Sequence, residues 1–286
     1  MSLKSILISL ILVITCQFSI AQDIIVQDDN FKKVPLKAPV KTVVTTTPAQ
    51  AKLLEALGAS DRLVGVSSFT TVTGKTPPNI GDAHNLKIAE IIKLKPDLVI
   101  LGSAHYNHNA EKKLEKANIK VLLFSDLNIG SLASHIETLA TALGLNNKGT
   151  ELGMAITSKI KVLKEKYSKD STLLVAPIIQ WTPNIRTINN ESYLNDILTI
   201  CGAQNVYADK KEMAPIIHDA TIKASHAKEI IYFTGSKNNE SIPKSYAGLP
   251  VITIKSDALI QLSPATIDAI PKVCKLLREK LLTQTR

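Results

Sequence analysis

Residues 131–167 read SLASHIETLATALGLNNKGTELGMAITSKIKVLKEKY, and this stretch decides the fold. Leu132, Ile136, Leu139 and Leu143 recur at spacings of four, three and four, which puts them on one face of a helix. Met154, Ile160, Leu163 and Tyr167 carry the pattern on after a break near Gly144–Gly149. Strand signal is nearly absent. The spacing predicts one long helix, or a helix pair, over residues 130–168, well beyond the usual length of about 8–20 residues.

On both sides of this stretch the pattern alternates. Upstream, Thr42–Thr46 and Leu63–Val66 read as short strands. Leu98–Leu101 is an apolar run bracketed by Asp97 and Gly102, and Val121–Phe124 is a further strand. Helices are expected at Pro48–Leu57, stopped by Gly58, at Ile88–Leu94, closed by Pro96, and at Asn109–Ala117. Downstream, strands at Leu173–Ile179, Ile230–Phe233 and Val251–Ile254 alternate with helices at Ser192–Cys201, Thr221–Lys228 and Pro264–Leu282. Strands and helices in this order imply βαβ units and parallel sheets. The expected fold is α/β: two Rossmann-like lobes joined by one long connecting helix. The N-terminal lobe is placed at 38–129, the connector at 130–168 and the C-terminal lobe at 169–286, with 22–37 as a polar N-terminal tail.

The first 21 residues read as a secretory signal. Lys4 precedes an apolar run from Ile6 to Ile14, and Ser19-Ile20-Ala21 supplies small residues for cleavage after Ala21. The run is short for a membrane span, so no membrane insertion is expected once it is removed. Cys16 offers a lipoprotein alternative, although Thr15 stands where a smaller residue is wanted. The expected location is therefore periplasmic. Removal of the leader leaves Cys201 and Cys274, an even count in an exported chain; the readings are a disulfide or two buried thiols.

The formal net charge of +9 comes from scattered lysines, and aromatic residues make up only 4% of the chain. Without a basic stripe or a stacking platform, no nucleic-acid partner is expected. Gly74-Lys75-Thr76 resembles the end of a phosphate-binding loop, but Phe69 stands where its leading glycine belongs. Gly65-Val66-Ser67-Ser68-Phe69 lacks the second glycine of a nucleophile elbow. No catalytic constellation emerges, and the chain is not expected to be an enzyme.

Several strings share one likeness: Lys41 to Pro48 (KTVVTTTP), Leu53 to Ser67 (LLEALGASDRLVGVS), Ile80-Gly81-Asp82, Leu94 to Ile100 (LKPDLVI), and Tyr193 through Cys201 to Tyr207. In these the chain resembles the helical-backbone (class III) periplasmic substrate-binding proteins of ABC importers, from about residue 38 to the C-terminus. The resemblance implies capture of a small molecule between two lobes and delivery to an ABC importer permease, with small hinge motion. The implied ligand is a metal chelate, namely cobalamin, a ferric siderophore or haem, and no intrinsic cofactor. Cys201 and Cys274 fall where vitamin B12-binding members carry a cysteine pair, which implies a disulfide and leans towards that branch. Members often dock on the permease through a glutamate on each lobe. Here Ala89 and Thr221 occupy those positions, and Glu90 is the adjacent candidate.

Ligands of open α/β sheets sit beyond the C-terminal ends of strands. The loops expected there supply Thr46, Thr47, Ser67, Phe69, Tyr106, Trp181 and His218; Asp82 and His84 join them by resemblance. Asp82 stands where haem-binding relatives often have tyrosine. The threonine and serine hydroxyls suit a polar ligand, and a ferric siderophore also suits the basic charge. His84, His105, His108 and His218 are four of six histidines and fall in these loops, with His105 and His108 as an H-x-x-H on a loop. Imidazole binds Zn, Mn or Ni, so a free-metal carrier is the first alternative. A metal-dependent enzyme with Asp82 as base is the second. His135 and His226 read as ordinary helix residues.

Overall fold

The computed structural model describes residues 22–82, 85–102, 104–125, 127–167 and 173–284. Residues 1–21, including Cys16, and His84 lie outside these residues, as do the side chains of residues 104–107.

The segment expected to be a tail is a β-hairpin. β1 (Gln22–Gln27) pairs antiparallel with β2 (Lys33–Ala38), with Val26 opposite Val34 and Ile24 opposite Leu36. The signal was the two-residue alternation of Lys33-Val34-Pro35-Leu36-Lys37-Ala38, which buries Val34, Leu36 and Ala38 and exposes the residues between them. In the turn, Asp28 Oδ1 accepts from the backbone N–H of Asn30 (3.0 Å) and of Lys32 (2.9 Å). The composition of the segment hid this, because the polar residues of its strands sit on the solvent face.

The first lobe is a four-stranded parallel sheet in the order β4-β3-β5-β6: β3 (Val43–Thr45), β4 (Leu63–Val66), β5 (Leu98–Leu101) and β6 (Lys120–Leu123). Its helices are α1 (Pro48–Ala56), α2 (Ile88–Leu94) and α3 (Ala104–Lys116). The Leu94–Ile100 string has a physical role here. Asp97 Oδ2 accepts from the backbone N–H of Lys41 and of Thr42, both at 2.9 Å, and so registers the start of β5 against β3.

The connector is a helix pair. α4 (Ser131–Leu143) ends at Gly144, whose φ of 69° is the left-handed conformation glycine adopts at low cost, and α5 (Asn146–Tyr167) runs on from there. Arg62 Nη1 donates to the carbonyl of Leu143 (2.6 Å) and to that of Val40 (2.9 Å), so the end of α4 is tied to the first lobe. α4 and α5 pack closely because Gly149 lacks a side chain. A Cβ there would lie 2.3 Å from the Ala140 Cβ.

The second lobe is a five-stranded sheet in the order β10-β11-β9-β7-β8. β7 (Leu173–Ile178), β8 (Ala203–Asn205), β9 (Glu229–Thr234) and β11 (Leu249–Lys255) are parallel, while β10 (Ser245–Tyr246) forms an antiparallel edge on β11. α6 (Tyr193–Ile200), α7 (Asp219–Lys223) and α8 (Pro264–Gln284) complete it. The disulfide Cys201–Cys274 joins the end of α6 to α8 and closes a sequence separation of 73 residues. One apolar core runs from the hairpin (Leu36) through α1 (Leu54), α4 (Ile136) and α6 (Ile197) to α8 (Leu277). The opposite face of each sheet carries its own smaller core, centred on Val99 and Leu101 in one lobe and on Ile178 and Ile230 in the other.

Candidate ligand cleft

The C-terminal ends of the strands hold most of the expected site residues, but not all of them face solvent. Thr46 is 1% exposed. Its Oγ1 accepts from the backbone N–H of Gly102 (2.9 Å), which ties the end of β3 to that of β5. Thr46 is thus a brace beneath the cleft, because its hydroxyl is turned to the neighbouring strand. Thr47 is the N-cap of α1: its Oγ1 accepts from the Gln50 N–H, and Gln50 Oε1 accepts from the N–H groups of Thr46 (2.9 Å) and Thr47 (3.2 Å). Ser67 is also buried, its hydroxyl 2.9 Å from that of Thr70.

Phe69 is the opposite case. It is 94% exposed after β4, with φ at 65°, a conformation that is costly for a residue with a bulky side chain. In the same loop system, Asp82 is half-buried and its Oδ1 accepts from the Asn85 N–H (2.9 Å).

Across the cleft, Trp181 follows β7 and is half-buried. Its ring meets Tyr246 edge-on at 5.0 Å and lies 5.8 Å from Tyr232. The Tyr232 hydroxyl donates to Glu240 Oε2 (2.9 Å), and the Thr182 hydroxyl donates to the same carboxylate. Burial pushes the Glu240 carboxyl up, but the Thr182, Tyr232 and Asn238 donors win and hold it below the ordinary range. Burial, with Glu240 adding to it, raises the Tyr232 phenol. The wall around Trp181 is therefore a fixed aromatic and hydrogen-bonded unit.

Of the four histidines, His108 and His218 have described side chains, and they lie in different lobes. His105 and His108 lie on α3, not in a loop, because the helix begins at Ala104, directly after the strand-end turn. The side chains of His105 and Tyr106 lie outside the described residues. His108 is exposed, with Nδ1 3.6 Å from Glu111 Oε2 in the next turn. His218 is exposed at the N-cap of α7 in the other lobe. Among the described residues, no group of three or more His, Cys, Asp or Glu side chains is placed to hold a metal ion.

A cavity of about 1540 Å³ opens along one flank of the strand ends. The first lobe contributes His108, Ser125 just past β6, the β1–β2 turn and α4; the second contributes Arg186, Glu191 and residues 211–214. Of the expected site residues whose side chains are described, only His108 lines it, so the cavity is displaced from the Phe69 and Trp181 loops. The geometry nevertheless joins the two. Arg186 bridges back to Gln180, the residue before Trp181, and its Nη1 donates to the Ala214 carbonyl (2.8 Å). Sequence reasoning missed the hairpin's part in this wall because it took those residues for a tail.

One hydrogen bond crosses between the lobes near this flank. Asp196 Oδ2, on α6, accepts from the backbone N–H of Ile129 (2.8 Å) just before α4. Burial raises the Asp196 carboxyl above its ordinary range, opposed by that bond and by Lys164. Glu90 stands exposed on α2, 2.8 Å from Lys93, with exposed Ala89 beside it, while Thr221 is half-buried on α7. No helix among the described residues is long and apolar enough to cross a membrane.

Two parallel α/β lobes joined through helices, with a cleft at their strand ends, define a two-lobed solute-binding architecture. The family model described as periplasmic binding protein matches residues 43–248, and the chain belongs to that family. It is 28% identical over 206 residues to an uncharacterized ABC transporter substrate-binding lipoprotein of Bacillus subtilis, covering 69% of this chain and 65% of that relative's length. It is 26% identical over 243 residues to the vitamin B12-binding protein of Salmonella paratyphi A, covering 83% of this chain and 90% of the relative. The crystal structure of the periplasmic vitamin B12 binding protein of Vibrio cholerae shares the fold, with a TM-score of 0.73 at 20% identity over 84% of this chain and 97% of that one. The family consists of substrate-binding proteins for transport.

Proposed function

We propose that this chain is the exported binding subunit of an ABC importer, freed of residues 1–21 and carrying a metal chelate to its permease without chemical change. The observation that carries the reading is the size of the open flank. A volume of about 1540 Å³ exceeds the roughly 300–1,000 Å³ of ordinary small-molecule pockets and suits a macrocyclic or siderophore-sized solute. A bare metal ion needs a compact set of three or four ligands instead.

Charge narrows the ligand. Among the described residues, the cavity is lined by Asp28, Asp29, Glu137, Glu191 and Glu212 against Arg186 and Lys211 as permanent cations, an acidic excess in a chain of net charge +9. Haem would bring two carboxylates into that excess. A corrinoid, rimmed by neutral amides that donate hydrogen bonds, meets no such repulsion and is the ligand class favoured here. Delivery requires a docking surface, for which Glu90 on α2 is the candidate anionic contact on the first lobe.

The test is calorimetric titration of the mature chain with cyanocobalamin, haem, a ferric trihydroxamate and the divalent ions of zinc, manganese and nickel. Saturable binding of the corrinoid alone supports the reading. Binding of haem or the siderophore in its place keeps the chelate carrier and discards the corrinoid. Binding of a bare ion alone replaces the reading with a metal carrier.

A further inference from the structure

We propose that the β1–β2 turn is a third wall of the ligand cleft and that Phe31, at its tip, packs against the bound solute. The inference rests on the chelate-carrier reading above and adds a wall and a contact residue to that site.

Phe31 is 81% exposed, and its φ of 61° lies in the left-handed region, where a glycine would sit without steric conflict. An aromatic ring held at such a position and turned to solvent contributes little to packing within the lobe. It does line the 1540 Å³ cavity. Two more large apolar side chains line the same cavity and are similarly uncovered: Ile25 on β1, 68% exposed, and Leu127, 39% exposed. Arg186, Lys211 and Met213 of the second lobe line it too. The solute this wall fits has an apolar or planar face and a polar rim.

The turn is fixed in advance of any ligand. Asp28 accepts from two backbone N–H groups of the turn, Asp29 binds His135, and Lys32 Nζ reaches Glu111 on α3 at 2.6 Å. Burial acts to lower the Lys32 ammonium, but Glu111 and Glu115 outweigh it and raise it, consistent with a held ion pair. A wall anchored at three points loses little freedom on binding, which favours affinity. It is also continuous with the strand-end cleft, through Ser125 after β6 and through the Trp181–Arg186 loop.

The test compares the parent with Phe31→Ala, Phe31→Tyr and Val162→Ala by calorimetry with cyanocobalamin, haem and a ferric trihydroxamate. Val162 is 55% exposed on α5, away from the cavity, and serves as the control. Phe31→Ala is expected to weaken the bound chelate by about tenfold, with Phe31→Tyr within about twofold of the parent and Val162→Ala unchanged. If Phe31→Ala melts earlier than the parent, Phe31→Gly is read in its place, since it removes the ring and suits the backbone. Parent-like affinity in the ring-less variant overturns the third wall while leaving the carrier intact. Absence of binding by the parent to every chelate overturns the carrier reading and the wall with it.

Discussion

His135 Nε2 lies 2.9 and 2.8 Å from the two carboxylate oxygens of Asp29, which places a buried ring of α4 against the turn of the β1–β2 hairpin. The ring also stacks on Phe124, with centroids 4.3 Å apart and planes within 6°. Asp29 further accepts from the Ser125 N–H and donates its own N–H to Leu123 (3.1 Å). The hairpin is thereby clamped to the edge of the first sheet. Replacing His135 by Leu keeps the bulk but leaves Asp29 short of a partner. The expected loss is about 1–3 kcal/mol, read in chemical unfolding, with faster hydrogen exchange confined to β1 and β2.

Gly149 sets the approach of α4 and α5. An added Cβ would sit 2.3 Å from that of Ala140, far inside contact distance, so Gly149→Ala must push the helices apart. A destabilisation of about 1–3 kcal/mol is expected despite alanine's better helix propensity. The double variant Ala140→Gly, Gly149→Ala should recover part of it. Equal stability of the single variant and the parent would show that the pair can separate freely.

Asp196 gives stability a pH dependence of definite sign. Burial raises its carboxyl in the folded protein above the unfolded value of about 3.9. Between those two values the folded state holds the proton that the unfolded state has lost, so stability falls as pH rises through that window and then levels. Asp196→Asn keeps an acceptor for the Ile129 N–H and removes the titration. Urea midpoints of parent and variant, measured from pH 4 upward, should diverge in favour of the variant. Parallel curves would mean that Asp196 titrates alike in both states.

Phe69, 94% exposed at φ 65°, contributes little to the core, and the carrier reading proposed above makes it a candidate ligand contact. Phe69→Gly relieves the backbone conformation and is expected to raise stability by about 0.4–1 kcal/mol. The same change should weaken chelate binding several-fold, and thermal melts paired with calorimetry separate the two effects. Unchanged affinity would remove Phe69 from the cleft.

Much of this architecture was legible in the residues. Leu63–Val66, Leu98–Leu101 and Ile88–Leu94 form the elements their patterns imply, because apolar runs bounded by polar or breaking residues leave few alternatives. The hairpin was hidden because Lys33, Pro35 and Lys37, on the exposed face of β2, make the segment polar in composition although every second residue is buried. β8 and β10 escaped notice because three- and two-residue strands are too short for any periodicity. The start of α3 was misplaced because Ala104-His105-Tyr106 carries no apolar repeat. The site was less legible than the fold. Loop position brought Phe69 and Trp181 forward correctly as strand-end residues, yet it could not tell exposed Phe69 from buried Thr46 and Ser67, whose hydroxyls are turned inward. That distinction depends on neighbours distant in sequence, such as Gly102 for Thr46.

The apolar interior that runs unbroken from Leu36 to Leu277 makes the lobes inseparable as folding modules. A cut between α4 and α5 would leave two fragments, each presenting half of a core to water, and neither would stand alone. The jaws must also work on a shared spine: any opening that parted Ile136 on α4 from the residues packed around it would wet the centre of the molecule. Ligand entry has therefore to leave that interior closed, which fits a rim whose Trp181 wall and hairpin turn are already held by hydrogen bonds.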